Sequence, residues 1–249
     1  MDSKIILAHR GISSLAPENT LAAFNLLPKY NIKWLETDLG ITSDKHVIIM
    51  HDDYLDRTTN GHGLLASTSY RNLHKLSAGA WFSSKYADER VPTLEELVSF
   101  VNRTKINVNI ELKAVVSNNA NEMADSLVHQ FAQALDMIDP AIDIIVSSAN
   151  PIMLLKLQQL RPHTEFAVLF DKTNLKDDWQ LIMQSCHAQF IHPESEGLTR
   201  EKIEQFKSSH YRVNVWTVNT LCRCNQLFNW GVDGVFTDFA QRLSYTDDY

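Results

Sequence analysis

Polar and aromatic side chains lie in or directly after several short apolar runs of the sequence, near the points where buried strands would end. These residues are His9, Arg10, Glu36, Asp38, His51, Glu111, Lys113 and Trp216. A charged side chain at the end of a buried strand costs free energy unless it is paired or bound to a metal. One such residue is commonplace, but this number of them predicts a functional site.

The spacing of the acidic residues indicates a metal site. Glu36 and Asp38 are two positions apart, so a strand would direct both carboxylates to the same side. Glu111 and Lys113 have the same spacing in another run. Three carboxylates brought together repel one another unless a cation lies between them, and oxygen ligands favour Mg²⁺ or Ca²⁺ over zinc. The alternative is an ordinary ion pair between Glu111 and Lys113, beside a solvated Glu36.

The remaining residues suit the cleavage of a phosphodiester. His9 and His51 can exchange protons near neutral pH, and this reaction needs a base for the attacking oxygen and an acid for the leaving oxygen. Arg10 and Lys113 can neutralise phosphate oxygens. Trp216 either forms an apolar wall of the substrate pocket or belongs to the core.

The apolar runs themselves predict the fold, because most are apolar along their length, as in parallel strands buried on both faces. They are Ile5–Ala8, Trp34–Leu39, Val47–Met50, Ile106–Leu112, Ile142–Ser147, Glu165–Phe170, Gln189–His192, Val213–Val218 and Val235–Asp238. Helix-like stretches separate them, so we predict an α/β fold, a TIM-type (β/α)8 barrel. Nine runs are candidates for eight barrel strands. Residues 38–47 are too few for the crossover helix that parallel neighbours usually need, so either one of the two neighbouring runs pairs differently or a short extended return replaces the helix.

Three helix starts support this alternation. Asn19 is predicted to cap a helix from Thr20 to Leu27. Thr93, with Glu96 three residues later, has the pattern of a capping box. Asn150 precedes a proline, which suits the first position of a helix.

Residues 53–90 interrupt the rhythm of strands and helices. This segment is rich in loop-forming residues and contains the aromatic residues Tyr70, Trp81, Phe82 and Tyr86. Long loops in small domains commonly carry function. We therefore predict one domain over residues 1–249, with residues 53–90 inserted as a small cap beside the site. The alternative is a surface loop that only packs on the barrel.

Composition narrows the class of protein. The net charge is −7, from 23 basic and 30 acidic residues, and the lack of a Lys/Arg stripe argues against nucleic-acid binding. No apolar stretch is long enough to span a membrane, and the first strand leaves no room for a signal peptide. Three cysteines, taken as reduced thiols, complete the prediction of a cytoplasmic protein without stable membrane insertion. The sequence carries no pattern that indicates an oligomeric state.

The order of the motifs resembles that of the glycerophosphodiester phosphodiesterase family. The motifs are His9-Arg10-Gly11, Pro17-Glu18-Asn19-Thr20, Glu36-x-Asp38, His51-Asp52, Leu55-Asp56-Arg57-Thr58-Thr59 with Gly61, Pro92-Thr93-Leu94-Glu95-Glu96, Glu111-x-Lys113, Trp216-Thr217-Val218-Asn219 and Gly231-Val232-Asp233-Gly234-Val235-Phe236-Thr237-Asp238. Each motif is weakly informative alone, but the ordered set spans nearly the whole chain. Ala149-Asn150 stands where the family often has an aromatic residue, and Phe239-Ala240 where a proline is common; both departures bear on substrate preference.

The resemblance implies a TIM barrel with a small cap and a metal-dependent hydrolase. Its substrates would be small glycerophosphodiesters such as glycerophosphocholine and glycerophosphoethanolamine, cleaved to glycerol 3-phosphate and an alcohol. Matching residues take the family's roles: metal ligands Glu36, Asp38 and Glu111; acid and base His9 and His51; phosphate-binding residues Arg10 and Lys113; and Trp216 at the glycerol end.

Two other functions fit parts of the same pattern. A phosphodiesterase acting on lysophospholipids or phosphoinositides would share the chemistry but would need an apolar groove for an acyl chain. A barrel that binds a phosphorylated ligand without turning it over would not need both histidines and all three carboxylates.

Overall fold

Nine strands follow one another in the computed structural model, which describes residues 4–243. They are β1 Ile5–His9, β2 Trp34–Ile41, β3 Val47–Ile49, β4 Asn107–Leu112, β5 Ile144–Ser148, β6 Glu165–Phe170, β7 Phe190–Pro193, β8 Arg212–Val215 and β9 Gly234–Thr237. Eight are parallel neighbours in the order β1-β9-β8-β7-β6-β5-β4-β2, and pairing of β1 with β2 closes the barrel. The predicted TIM-type barrel is confirmed.

The ninth strand explains why nine apolar runs were found for eight barrel places. β3 runs antiparallel to β2, with Leu39 opposite Ile49 and Ile41 opposite Val47. The connection is a tight turn over residues 42–46, in which the amide of Thr42 donates to the carbonyl of His46 at 3.0 Å. Antiparallel strands need only such a turn, whereas a parallel pair needs a long crossover. β3 therefore extends β2 as a hairpin outside the barrel.

Helices follow most of the barrel strands and cover the outside of the barrel. They are α1 Leu21–Phe24, α2 Tyr70–Leu73, α3 Leu94–Thr104, α4 Ala120–Leu135, α5 Pro151–Leu160, α6 Trp179–Ser185, α7 Arg200–Ser208, α8 Leu221–Asn229 and α9 Ala240–Leu243. α3 shows the general pattern, because Leu94, Leu97, Val98 and Val101 recur at helical spacing and are all buried. The largest apolar core joins such helix faces to side chains of the barrel wall.

Two of the predicted helix starts are confirmed and one is wrong. Thr93 and Glu96 form the capping box, and Asn150 accepts a hydrogen bond from the amide of Ile152 at 3.1 Å. Thr20, not Asn19, caps the first helix, which is also shorter than predicted. Asn19 has a positive φ of 54°, and its side chain bonds inside the barrel mouth instead of to the helix.

The segment 53–90, which the sequence predicts to be a cap, lies between β3 and α3. It contains α2 and the short 3₁₀ helices Leu65–Ser67 and Ser84–Tyr86. A separate apolar cluster joins Leu55, Leu65, Leu73 and Ala78 of the segment to Ile48 and Met50 at the β3 hairpin and to Val91, which follows the segment. The segment is therefore anchored by its own small core.

Two further sequence expectations concern thiols and membranes. Cys186, Cys222 and Cys224 are all free thiols, as expected. Over residues 4–243, no helix combines the length and the apolar character that crossing a lipid bilayer requires.

Candidate active site

Three carboxylates meet at the carboxyl ends of β2 and β4. Asp38 pairs directly with Glu111 across the two strands, so their side chains lie next to each other on the barrel's inner face. Glu36 precedes Asp38 by two positions and shares that face. One oxygen from each of the three lies within 4.8 Å of the others, and all three residues are buried.

These carboxylates have the donors that a hard divalent cation needs. Burial and then the neighbouring Asp38 raise the pKa of Glu111 to about 7, and the same two causes raise the pKa of Glu36 well above its ordinary value. Burial is the largest single effect on Asp38 and opposes its ionisation, but Arg10, His51 and Lys113 together outweigh burial and hold the pKa of Asp38 below its usual range. The buried Oδ1 of Asp38 has no hydrogen-bond partner among the described residues. Repelling carboxylates with an unbonded oxygen fit a metal ion.

A strained turn after β1 places Arg10 beside this cluster. Arg10 has a φ of 59° and Gly11 a φ of 85°, and a Cβ on Gly11 would lie 2.8 Å from the Cβ of Ala23. In this turn the backbone amide of Arg10 donates to Oε2 of Glu36 at 3.0 Å. The guanidinium Nε of Arg10 lies 3.5 Å from Oδ2 of Asp38. Glycine is therefore required for both conformation and space.

His9 is oriented by the last strand of the barrel. Its Nδ1 lies 2.7 Å from Oδ1 of Asp238, which directly follows β9. Asn219 donates to the other oxygen of Asp238 at 2.7 Å and accepts the amide of Asp238 at 3.0 Å. Burial acts to raise the pKa of Asp238, but the hydrogen bond and charge of His9, together with hydrogen bonds from Asn219 and Ser13, outweigh burial and lower that pKa. With Nδ1 bonded in this way, Nε2 is the nitrogen left for a substrate.

His51 has a matching arrangement after β3. Its Nδ1 lies 2.7 Å from Oδ1 of Asp52. Burial, helped by the positive charges of Arg10 and Lys113, lowers the pKa of His51, although Asp38 acts in the opposite direction. The ring is thus held through Nδ1, which leaves Nε2 for a substrate, and the lowered pKa favours the neutral form of the ring.

Lys113 leaves the end of β4 and donates to Glu111 at 2.9 Å. Burial would lower its pKa, but Glu111 and Asp38 outweigh burial and raise it. The ion pair that the sequence left as an alternative to the metal site is therefore present, and it lies within the carboxylate cluster.

One cavity of about 170 Å³ brings most of the predicted residues together. Its walls include His9, Arg10, Glu36, His51, Glu111, Lys113 and Trp216. Asp38 is buried beside Glu36 and Glu111. Trp216 forms part of the wall and donates its indole N–H to the carbonyl of His192 at 2.8 Å, which fixes the ring. Ala149, Leu169 and Asp171 also line the cavity.

Several residues of the site were not singled out by the sequence reasoning. Asp238 follows β9 just as His9 closes β1, so the rule of polar residues at strand ends could have found it. Asn19 donates to Asp38 at 2.8 Å and accepts from Thr37 at 2.8 Å. It belongs to a quoted motif, but no local pattern indicated that its side chain would point inward.

Comparison with known proteins identifies the family of this chain. The model of the glycerophosphoryl diester phosphodiesterase family matches residues 9–242. A glycerophosphodiester phosphodiesterase from Caldanaerobacter subterraneus subsp. tengcongensis is 30% identical over 239 residues, which is 96% of each chain. A glycerophosphodiester phosphodiesterase from Bacillus subtilis is 29% identical over 248 residues, covering 96% of this chain and 84% of its own.

A solved structure resembles the whole chain as well. A phosphodiesterase from Oleispira antarctica, in complex with the product sn-glycerol-3-phosphate, superposes with a TM-score of 0.90 at 29% identity, covering 96% of this chain and 94% of that one. The matching family model spans the motifs and the barrel alike. The chain therefore belongs to the glycerophosphoryl diester phosphodiesterase family and is a phosphodiesterase.

Proposed function

We propose that this chain hydrolyses small glycerophosphodiesters, such as glycerophosphocholine and glycerophosphoethanolamine, to glycerol 3-phosphate and an alcohol by metal-assisted acid and base catalysis. One observation carries the proposal: two histidines, each with Nδ1 on a carboxylate, line the same cavity as two members of the three-carboxylate cluster. The product bound by the relative from Oleispira antarctica supports the same reaction.

Glu36, Asp38 and Glu111 would hold one divalent cation. Carboxylate oxygens are the preferred ligands of Mg²⁺ and Ca²⁺, and either ion fits this donor set. When bound, such an ion polarises phosphoryl oxygens and stabilises negative charge that develops on them. Arg10 and Lys113 line the same cavity and would bind the phosphate oxygens, Arg10 through its planar fork and Lys113 as a point charge.

His9 and His51 would move the protons. Each ring has Nδ1 on an aspartate, which selects the tautomer with Nε2 as acceptor and stabilises the cation formed after proton uptake. One ring takes the proton from the attacking oxygen while the other supplies a proton to the leaving oxygen. Trp216 would pack against the glycerol carbons, because its ring is fixed in the cavity wall.

The cavity and the charge also bear on partners and location. At about 170 Å³ the cavity suits a small molecule, and the net charge of −7 does not suit a nucleic acid. Free thiols, including the exposed Cys222, suit a reducing compartment, so we place the reaction in the cytoplasm.

The test compares three substrates of the purified protein: release of glycerol 3-phosphate from glycerophosphocholine and glycerophosphoethanolamine, and release of lysophosphatidic acid from lysophosphatidylcholine. EDTA should abolish the activity, and Mg²⁺ or Ca²⁺ should restore it. H9A and H51A should each lower turnover by ~10² to 10⁴. H163A, at an exposed histidine, is the matched control and should match the wild type.

Three results would contradict the proposal. They are full activity of folded H9A or H51A, activity that resists EDTA, and a clear preference for lysophosphatidylcholine over the two small diesters. Binding of a diester without product at any metal concentration would support the non-catalytic barrel instead.

A further inference from the structure

Arg57, in the segment 53–90, forms ion pairs with the carboxylates of Glu18 and Asp52 at the mouth of the barrel. Its Nη1 and Nη2 each donate to Glu18, both at 2.7 Å. Its Nε donates to Oδ2 of Asp52 at 2.6 Å, and Nη2 also donates to Oδ1 at 2.9 Å. One guanidinium therefore makes four charge-assisted hydrogen bonds to two different parts of the chain.

Each of these carboxylates also holds a side chain of the proposed site. Glu18 accepts from the guanidinium of Arg10 at 2.6 Å. Oδ1 of Asp52, which Arg57 contacts, is also the oxygen bonded to Nδ1 of His51. The contacts form one continuous chain, Arg10–Glu18–Arg57–Asp52–His51. Its two ends lie on the wall of the same cavity.

From this arrangement we propose that Arg57 is a positioning residue of the phosphodiesterase, which fixes Arg10 and His51 relative to each other by clamping their two carboxylate partners. The proposal rests on the roles given to Arg10 and His51 above. It also gives the segment 53–90 a function, because the site reaches its final geometry only when this segment is docked.

Exposure separates this role from ordinary stabilisation. The side chain of Arg57 is 47% exposed, whereas those of Glu18 and Asp52 are 13% and 22% exposed. Solvent at so exposed a guanidinium screens the ion pairs and reduces their contribution to the free energy of unfolding, although the forked geometry keeps that contribution above that of a single surface pair. The effect of the guanidinium on the direction of two less exposed carboxylates is larger, and misplaced catalytic groups lower turnover steeply. Loss of Arg57 should therefore change catalysis more than stability.

Charge gives a second, separable effect. Arg10 and Arg57 balance Glu18 and Asp52, so removal of Arg57 leaves one negative charge more at the mouth. The anionic phosphodiester group of the substrate would then bind less well. Lysine at position 57 would restore the charge, but its single nitrogen cannot reproduce a fork that spans two carboxylates.

The experiment compares R57A and R57K with the matched control R71A. Arg71 is an exposed arginine of the same segment. With glycerophosphocholine and saturating Mg²⁺, R57A should lower kcat by about 10² and raise KM. R57K should have a KM near the wild type and a kcat near that of R57A. R71A should match the wild type in both constants.

Chemical rescue tests positioning against simple loss of folding. Methylguanidinium should raise the kcat of R57A severalfold, but it should not raise the kcat of H51A or R71A. The proposal is overturned if folded R57A or R57K has the kcat of the wild type. It is also overturned if R57A loses activity together with a large fall in Tm and methylguanidinium restores nothing.

The H51A variant separates this inference from the proposed function. An inactive H51A with a fully active R57A would reject only the role of Arg57. A fully active H51A would reject the proposed catalytic role of His51, and with it the purpose of the clamp.

Discussion

At the level of single residues, the carboxylates that would bind the metal ion also destabilise the metal-free fold. Glu36, Asp38 and Glu111 repel one another, and burial raises the cost further, as the raised pKa values of the two glutamates show. An acid whose pKa is higher in the folded state than in the unfolded chain is stabilising at low pH only. That contribution is lost as pH rises from the unfolded value, about 4.3, through the folded value. The carboxylate cluster should therefore lower the free energy of unfolding of the metal-free protein near neutral pH.

The variant E36Q tests this conflict. Glutamine keeps an oxygen acceptor for the amide of Arg10 but cannot ionise. In EDTA near pH 8, E36Q should raise Tm by about 2 to 4 °C, the shift that about 1 kcal/mol produces in a chain of this size. With saturating Ca²⁺ the order should reverse, because the wild type gains more from the ion.

Scanning calorimetry of the two proteins checks the prediction, with E204Q as control. Glu204 is exposed and pairs with Arg200 on α7, so its loss should change Tm little in either condition. A lower Tm for E36Q in EDTA would show that repulsion between the carboxylates is not the dominant effect.

At the level of secondary structure, the ends of the strands and the turns after them build the site. β2 and β4 supply the carboxylates by register, while the turn after β1 and the β3 hairpin bring Arg10 and His51 to the same face. The turn after β1 depends on Gly11 for a positive φ and for space against Ala23. The position of Arg10 is therefore controlled by its neighbour in sequence.

Replacement of Gly11 by alanine should damage both stability and activity. The backbone strain costs about 1–3 kcal/mol, and the overlap with Ala23 costs about 1–3 kcal/mol more. Gly231 gives a matched control, because its φ is 95° but a Cβ there would have no atom within 4 Å. G231A should lose stability by backbone strain alone and keep turnover.

Chemical denaturation and kcat with glycerophosphocholine measure the two effects. G11A should be the less stable variant and should lose turnover even at temperatures where it is fully folded. Equal stability of the two variants, or normal turnover of G11A, would contradict the proposed role of this turn.

For the molecule as a whole, metal binding, protonation and stability are linked through the carboxylate cluster. Binding of a cation requires ionised ligands, and the pKa of Glu111 is raised to about 7 in its absence. Protons and metal therefore compete below that pH, and binding releases protons. Above it Glu111 is already ionised and the competition at this residue fades.

The apparent affinity for Ca²⁺ should therefore rise by about tenfold from about pH 6 to about pH 8 through Glu111, and the raised pKa of Glu36 adds to this rise. Calorimetric titration in buffers of different ionisation enthalpy reports both the affinity and the number of protons released. A pH-independent affinity, or binding without proton release near pH 6, would contradict the linkage.

Local patterns were enough to predict the barrel and to select the residues that meet in the cavity. Apolar runs and helix-start signals depend on near neighbours, so the confirmed capping box at Thr93 and the strands could be read directly. The same reasoning failed at Asn19, since its side chain bonds to Asp38 and Thr37 on β2. The preference of asparagine for a helix N-cap is a local signal. It could not show that hydrogen bonds to residues farther along the chain would decide the position of the Asn19 side chain.

The pairing of β3 and the links between charged groups depended on the tertiary structure. Nine runs were visible in the sequence, but only the closed ring of strands showed which one lies outside the barrel. Likewise, Asp238 is 229 residues from His9, and Arg57 is 39 residues from Glu18. Barrel closure and packing of the segment 53–90 bring these partners within hydrogen-bond distance. Short stretches of sequence were therefore enough to identify the residue types of the site, whereas their geometry depends on the complete fold.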